Sequence, residues 1–548
     1  MSAAISSTMP DEPLSLGGLL RYAADMHSGS RVTTWTGSGI HSRTYAELGE
    51  RAARVAGALT SLGVGASDRV ATFMWNNNEH LEVYAAVPAM GAVLHALNIR
   101  LFPEQVTFIA NHAEDRVVFV DGSLVPSFAP LLPEMPTVRH VVVVGGDPSA
   151  LVAPPGVTVH DYEELLAAQP PSFDFPMIDE RSAAAMCYTS GTTGDPKGVV
   201  YSHRSLYLHA SYVTTPAAMS LSPEDTCLAV VPMFHVNSWS LPFAALMSGA
   251  SLLLPDRFLQ AEPLLALMAA GRPTRAAAVP TIWSGLLARL EEHPQDISHL
   301  REAVVGGSAV PPSLMRTFEE RHGVRILHAW GMTETSAVSA VARPPASARG
   351  EQAWRYRVTQ GQFPPQVRHQ LVDDAGEVLP HDGESVGELQ VRGPWITGAY
   401  HSPAAGTIDD HFDDGWLRTG DIGTITPDGY LTLVDRAKDV IKSGGEWISS
   451  VQMENDVMSH PDVAEAAVFG VPDDTWDERP CVAVVYREGM TTDIASLRTH
   501  LTGSWAKWQL PERWTVLGEV PKTSVGKFDK KALRRQYAAG ELTVVEVR

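Results

Sequence analysis

The sequence predicts an α/β protein: a large N-terminal domain over residues 1–436, built of two α/β sheet subdomains and a β-barrel-like subdomain, and a small α+β domain over 437–548. Short β-rich runs alternate with helical patterns in two separate series, as strand–helix–strand units do. Between Arg343 and Arg436 the texture changes to Gly, Pro and Asp turns around short strands. A chain of 548 residues also exceeds what one hydrophobic core sustains, so at least two domains are required.

Near the start, Thr44 and Glu47 in TYAE form a capping box, and Leu48, Val55, Leu59 and Leu62 recur at helical spacing until Gly63 closes the segment. The runs RVATFMW, RVVFVDG and HVVVVGG read as buried parallel strands. The longest uncharged apolar run, Val83 to Leu94, is too short to span a bilayer and contains Pro88, so it is expected in the core. A second series, LAVVPMF, SLLLP, AAAVPTI and REAVVGG, is spaced by helical patterns such as PLLALMAAG. DDAGEVLP, VGELQVRGP and DGWLRTGD supply the strands and turns of the barrel-like unit. The C-terminal domain runs from AKDVIKSGGEW, with a second capping box at Ser449 and Gln452, to a basic helix in KFDKKALRRQY.

The composition, 44% hydrophobic and 19% charged, is that of a folded globular chain. A formal net charge of −21 argues against a nucleic-acid partner, which needs a basic surface to replace phosphate counterions. An anionic substrate therefore has to meet locally gathered cations. Cys187, Cys227 and Cys481 lie far apart without CxxC or zinc spacing, as expected of reduced thiols in a cytoplasmic protein. The opening MSAAISSTMPDEPLS carries acid where a signal peptide carries base, so neither secretion nor a membrane span is expected.

Tyr188 to Gly198, YTSGTTGDPKG, leads hydroxyl residues and three glycines to one lysine. Glycines such as Gly191 and Gly194 let backbone amides approach an anion; the hydroxyls of Thr189, Ser190, Thr192 and Thr193 add donors, and Lys197 supplies a mobile charge. The string fails the Walker A template GxxxxGK[ST]. It resembles instead the phosphate loop of the adenylate-forming superfamily, which contains acyl-CoA synthetases, peptide-synthetase adenylation domains and firefly luciferase.

That superfamily places further motifs downstream in fixed order, and all are present. GGSAVP (Gly306 to Pro311) resembles the adenine-binding turn, implying roles for Gly307, Ser308 and Ala309. WGMTET (Trp330 to Thr335) resembles the segment that stacks on adenine and reaches the α-phosphate and the metal. Many relatives have Tyr where Trp330 stands, and either ring offers a base a flat apolar face. The resemblance assigns the α-phosphate to Thr333, the acid's surroundings to Gly331 and Met332, and Mg²⁺ to Glu334, since magnesium takes hard carboxylate oxygen together with substrate phosphates. WLRTGD implies that Asp421 binds the ribose hydroxyls, and VDRAKD adds Arg436 on the same sugar. PKTSVGKFDK matches the terminal motif whose second lysine, Lys527, meets the charge that builds up as pyrophosphate leaves.

Within the superfamily, VVPMFHVNSW, GPWITGAY, KSGGEWISS and GSWAKWQLP look most like bacterial medium- and long-chain fatty acyl-CoA synthetases and related methylmercaptopropionate-CoA ligases. In long-chain members a tryptophan gates an apolar acyl tunnel, which implies that role for Trp239, with His235 on the carboxylate side. Phe234 to Ser240 holds no cation for a second carboxylate, and only Asn237 where peptide synthetases place an aspartate for an amine. The implied reaction turns a carboxylic acid, ATP and coenzyme A into acyl-CoA, AMP and pyrophosphate through an acyl-adenylate. An amide synthetase, a carrier-protein loader or an aryl-acid ligase would keep the same ATP motifs. In the family the small domain is mobile and rotates about the residue two positions after the DR arginine, here Lys438. Gly444 and Gly445 then approach the pantetheine channel, and Lys442 acts in the second half-reaction. Homodimerisation through the N-terminal domain is implied in the same way.

Overall fold

The computed structural model describes residues 7–189, 195–401, 411–443, 446–473, 475–523 and 528–547. The first β series forms a seven-stranded sheet in the order Thr158–Asp161, His140–Val144, Val117–Asp121, Arg69–Phe73, Val93–Ala96, Ala183–Tyr188, Gly198–Ser202. Every neighbouring pair is parallel except the last. Strands covered on both faces carry unbroken apolar runs, which is why RVVFVDG and HVVVVGG stand out in the sequence.

The capping box at Thr44 and Glu47 forms and opens helix Tyr45–Ser61. The long apolar run becomes the end of helix Asn78–Ala89, buried on all sides with Pro88 in its last turn, followed by strand Val93–Ala96. A helix apolar all round belongs inside. It packs on Leu16–Met26 and Tyr45–Ser61, and Val83, Tyr84, Leu94, Leu252, Ala329 and Val338 join both sheets in one continuous core.

The second sheet contains six parallel strands, Arg31–Trp35, Ser251–Leu254, Thr226–Ala229, Arg275–Ala278, Glu302–Gly306 and Arg325–Met332. Arg31–Trp35 precedes the whole first series in sequence, so its pairing with Ser251–Leu254 is not announced by order along the chain. After Arg325–Met332 the pairing turns antiparallel through Ala337–Val341 and the two-residue strand Gly361–Gln362. It continues into Tyr430–Arg436, Trp416–Ile425, Gly387–Arg392, Arg368–Val372 and Val378–Leu379. The turn-rich unit is therefore an antiparallel extension of the second sheet, fifteen strands in all. Among the described residues no pairing closes it into the barrel-like form expected. A joint two residues long has no period, so the sequence could not reveal that connection.

The C-terminal region builds a separate six-stranded sheet around Asp477–Tyr486, with Val463–Asp473, Ile441–Ser443 and Arg513–Val516 beside it. Helices Ser450–Met458, Ile494–Leu501 and Lys530–Ala538 accompany that sheet. Ser449 caps the first of them, its Oγ accepting the Gln452 amide at 3.1 Å. Among the described residues no helix is long and apolar enough to cross a membrane. The three cysteines are buried free thiols, and burial pushes Cys187 up to about 12.

Candidate active site

Open α/β sheets bind ligands in the crevice beyond the carboxyl ends of their strands. Here that crevice is lined from the first sheet by Thr189 and Lys197, from the second by Gly307, Trp330 and Glu334, and from the antiparallel extension by Arg436. Thr189 and Lys197 bond to each other: the Thr189 amide donates to the Lys197 carbonyl at 2.9 Å, and the Lys197 amide to Thr189 Oγ1 at 3.1 Å. Ser190, Gly191, Thr192, Thr193 and Gly194 lie outside the described residues, as do Gly444, Gly445 and Lys527.

Strand Arg325–Met332 delivers WGM to the crevice. A Cβ at Gly331 would sit 1.8 Å from the Ala337 carbonyl oxygen, so only glycine lets Ala337–Val341 fold back beside it. The Trp330 ring meets Phe363 edge-on, and its indole N–H donates to Asp421 Oδ2 at 2.7 Å. Asp421 Oδ1 pairs with Arg436 Nε at 3.1 Å; the two residues face each other in register across neighbouring strands. The Asp421 carboxylate holds the Arg436 guanidinium above its ordinary range. Tryptophan at 330 thus adds to its flat face a donor that fixes the aspartate expected on the ribose.

Thr333 and Glu334 are buried on the tight turn Thr333–Thr335. The Tyr201 hydroxyl donates to the Thr333 carbonyl at 2.8 Å, and the Tyr400 hydroxyl to Glu334 Oε1 at 2.6 Å. Among the described residues no group of three or more His, Cys, Asp or Glu could hold a metal. Glu334 lines the crevice, as does Asp195, and a carboxylate there suits Mg²⁺, which keeps several waters and takes other ligands from substrate phosphates. Beside it, His235, Trp239 and Met332 line the crevice with Val236, Ala337 and Val338.

Not every expected residue comes to this place. Ser308 is exposed and Ala309 half-buried on the loop after strand Glu302–Gly306, and neither lines the crevice. Lys442 is exposed on strand Ile441–Ser443, where its amide donates to Glu478 Oε2 at 3.1 Å, and it is absent from the crevice lining. Lys438 lies exposed two residues past Arg436. Conversely, Tyr400, His411, Arg418 and Asp195 line the crevice without having been singled out. Tyr400 ends the GPWITGAY string, but its approach depends on a loop–strand contact that sequence spacing does not encode.

Residues 20–401 match the AMP-binding enzyme family and residues 452–527 the AMP-binding enzyme C-terminal domain. The chain belongs to that family. It is 42% identical over 531 residues to the 3-methylmercaptopropionyl-CoA ligase of Ruegeria pomeroyi, covering 96% of this chain and 98% of that one. It is 44% identical over 539 residues to the long-chain-fatty-acid–CoA ligase of Thermus thermophilus, covering 97% of each. Among solved structures, the anthranilate CoA ligase AuaEII in complex with anthranoyl-AMP matches with a TM-score of 0.87 at 25% identity, over 97% of this chain and 99% of that one.

Proposed function

We propose that this chain is an ATP-dependent, AMP-forming acid–CoA ligase acting on an apolar monocarboxylic acid in the medium- to long-chain fatty-acid range. The observation that carries this reading is the convergence of Lys197, Glu334, Trp330 and Arg436 on one crevice, with Asp421 buried behind the last two and bonded to both, and with Val236, Trp239, Met332, Ala337 and Val338 beside them. A carboxylate is a poor acyl donor, so it first acts as the nucleophile. It attacks the α-phosphorus of ATP, an acyl–oxygen–phosphorus bond forms as the bond to pyrophosphate breaks, and AMP becomes a good leaving group. Lys197, and Lys527 brought in by the small domain, meet the charge of the phosphates; one well-placed donor can be worth about 3–4 kcal/mol in such a step. Mg²⁺ held by Glu334 and the polyphosphate would supply further charge neutralisation. The CoA thiol, losing its proton, then attacks the acyl carbon and releases AMP. Rotation of the small domain about Lys438 exchanges the lysine of the first step for the glycine turn and Lys442 of the second.

The identity to a 3-methylmercaptopropionyl-CoA ligase favours a second acid, short and thioether-bearing, for the same crevice. Mass analysis of products from ATP with octanoate or 3-methylmercaptopropionate, each with CoA or with an amine, tests both. Thioester with AMP and pyrophosphate is expected. Amide without thioester would overturn the choice of acceptor.

A further inference from the structure

We infer that Tyr400 is a positioning residue that fixes Glu334 and Lys197 relative to each other, an inference that rests on reading the crevice as an Mg·ATP site. The loop that follows strand Gly387–Arg392 is stitched to the site at two points. The Thr397 amide donates to the Glu334 carbonyl at 2.8 Å, and the His401 amide to the Gly198 carbonyl at 2.7 Å, directly after Lys197. The second contact is tight, since a Cβ on Gly198 would lie 3.1 Å from His401 Cβ and 3.0 Å from the Tyr188 ring. The loop therefore spans from the turn that carries the carboxylate to the strand that follows the lysine.

Tyr400 uses that position with both ends of its side chain. Its hydroxyl donates to Glu334 Oε1 at 2.6 Å, while the face of its ring takes the Lys197 ammonium with Nζ 4.7 Å from the centroid. Lys197 Nζ also lies 3.1 Å from His411 Nδ1, and the His411 ring stands edge-on to Tyr400 with centroids 5.7 Å apart. Glu334 and Lys197 come from different sheets; the loop's backbone bonds join the segments that carry them, and Tyr400 touches both side chains. A side chain that hydrogen-bonds the carboxylate and offers a π face to the ammonium orients both.

Two substitutions separate these contacts. Tyr400→Phe keeps the ring and removes the hydroxyl; Tyr400→Leu removes both. Electron paramagnetic resonance of Mn²⁺ with a non-hydrolysable ATP analogue reads the metal site directly, and calorimetry without metal reads the polyphosphate site. Tyr400→Phe should weaken Mn²⁺ by about 10-fold, the low end of what losing a ligand's hydrogen-bond partner costs, and leave metal-free analogue affinity unchanged. Tyr400→Leu should weaken both. If Glu334→Gln loses Mn²⁺ affinity while Tyr400→Phe keeps it, or if Tyr400→Phe weakens the metal-free analogue as much as the metal, the positioning role is wrong. If Glu334→Gln itself binds Mn²⁺ like the wild type, the metal reading falls and the inference with it.

Discussion

Trp239 reaches the crevice because the backbone beneath it is left-handed. Val236, Asn237, Ser238, Trp239 and Ser240 all have positive φ, between 48° and 59°. Such a turn costs on the order of 1 kcal/mol or more at each non-glycine residue. Buried hydrogen bonds offset the cost: Asn237 Oδ1 accepts from the Tyr84 hydroxyl at 3.1 Å, Ser238 Oγ donates to the Val231 carbonyl at 2.7 Å, and Ser240 Oγ meets His209 Nδ1 at 2.9 Å. The motif string located the tryptophan, but no propensity predicts a β-branched valine in that conformation, so the strain was illegible. Truncating the ring changes the wall of the proposed acid site and leaves the proposed nucleotide side intact. Trp239→Ala should therefore redistribute kcat/KM among acids from butyrate to palmitate by at least ~10-fold, about 1.4 kcal/mol of discrimination, with little change in KM for ATP. Steady-state kinetics across the acid series checks this, and an unaltered profile would return Trp239 to a packing role.

At the scale of elements, the contacts that matter most join segments far apart in sequence. Asp435, the neighbour of Arg436, accepts the Ser450 amide with Oδ2 at 2.7 Å and the Ser450 hydroxyl with the same atom. The Ser450 hydroxyl also meets Lys530 Nζ at 2.5 Å, and Lys530 pairs with Glu454 at 2.8 Å. Arg534 reaches back to Asp439 at 2.8 Å. The proposed pivot, Lys438, lies between Asp435 and Ser450, so the Asp435–Ser450 bonds fasten the small domain across it, while the Lys530 and Arg534 contacts lie within that domain. Motifs made of consecutive residues were readable because each holds its chemistry locally. The Asp435–Ser450–Lys530 chain and the Tyr400 bridge were not, since each exists only once three segments meet. Fixing φ near −65° at Lys438 restricts the rotation proposed to follow adenylation. In Lys438→Pro, pyrophosphate release should persist while thioester output falls at least ~10-fold. Lys527→Ala should do the reverse, losing acyl-AMP formation while still converting supplied acyl-AMP to thioester. Measuring the two half-reactions separately in both variants decides it; equal damage to both steps in either protein would contradict a pivot at this point.

Across the whole molecule, buried neutral histidines tie the fold to pH. His80, His203, His209 and His328 sit in the helix between the sheets, the helix after strand Gly198–Ser202 and the second sheet, and burial lowers each to about 4. Their ring nitrogens serve the interior as neutral partners: His80 bridges the Trp75 carbonyl and Thr72 Oγ1, His209 bridges Ser240 Oγ and the Val338 carbonyl, and His203 Nδ1 accepts the Leu16 amide. An unfolded histidine titrates near 6.5. Below that pH the unfolded chain binds protons that the folded chain refuses, so this stability is fully present above about 6.5 and is lost as pH falls toward 4. Asp256 opposes it, because burial pushes its carboxyl up to about 7, and a carboxyl protonated only in the folded state loses its contribution as pH rises through that range. Burial pushes Glu82 up to about 7 as well, so four groups against two leave a net uptake of two protons on unfolding, up to about 3 kcal/mol per pH unit at the steepest point. Denaturant midpoints should therefore climb steeply from pH 5 to about 6.5 and level off above it. Asp256→Asn should steepen the climb by removing one opposing proton. A flat profile in the wild type, or an unchanged slope in Asp256→Asn, would show that these groups are solvated in the native state.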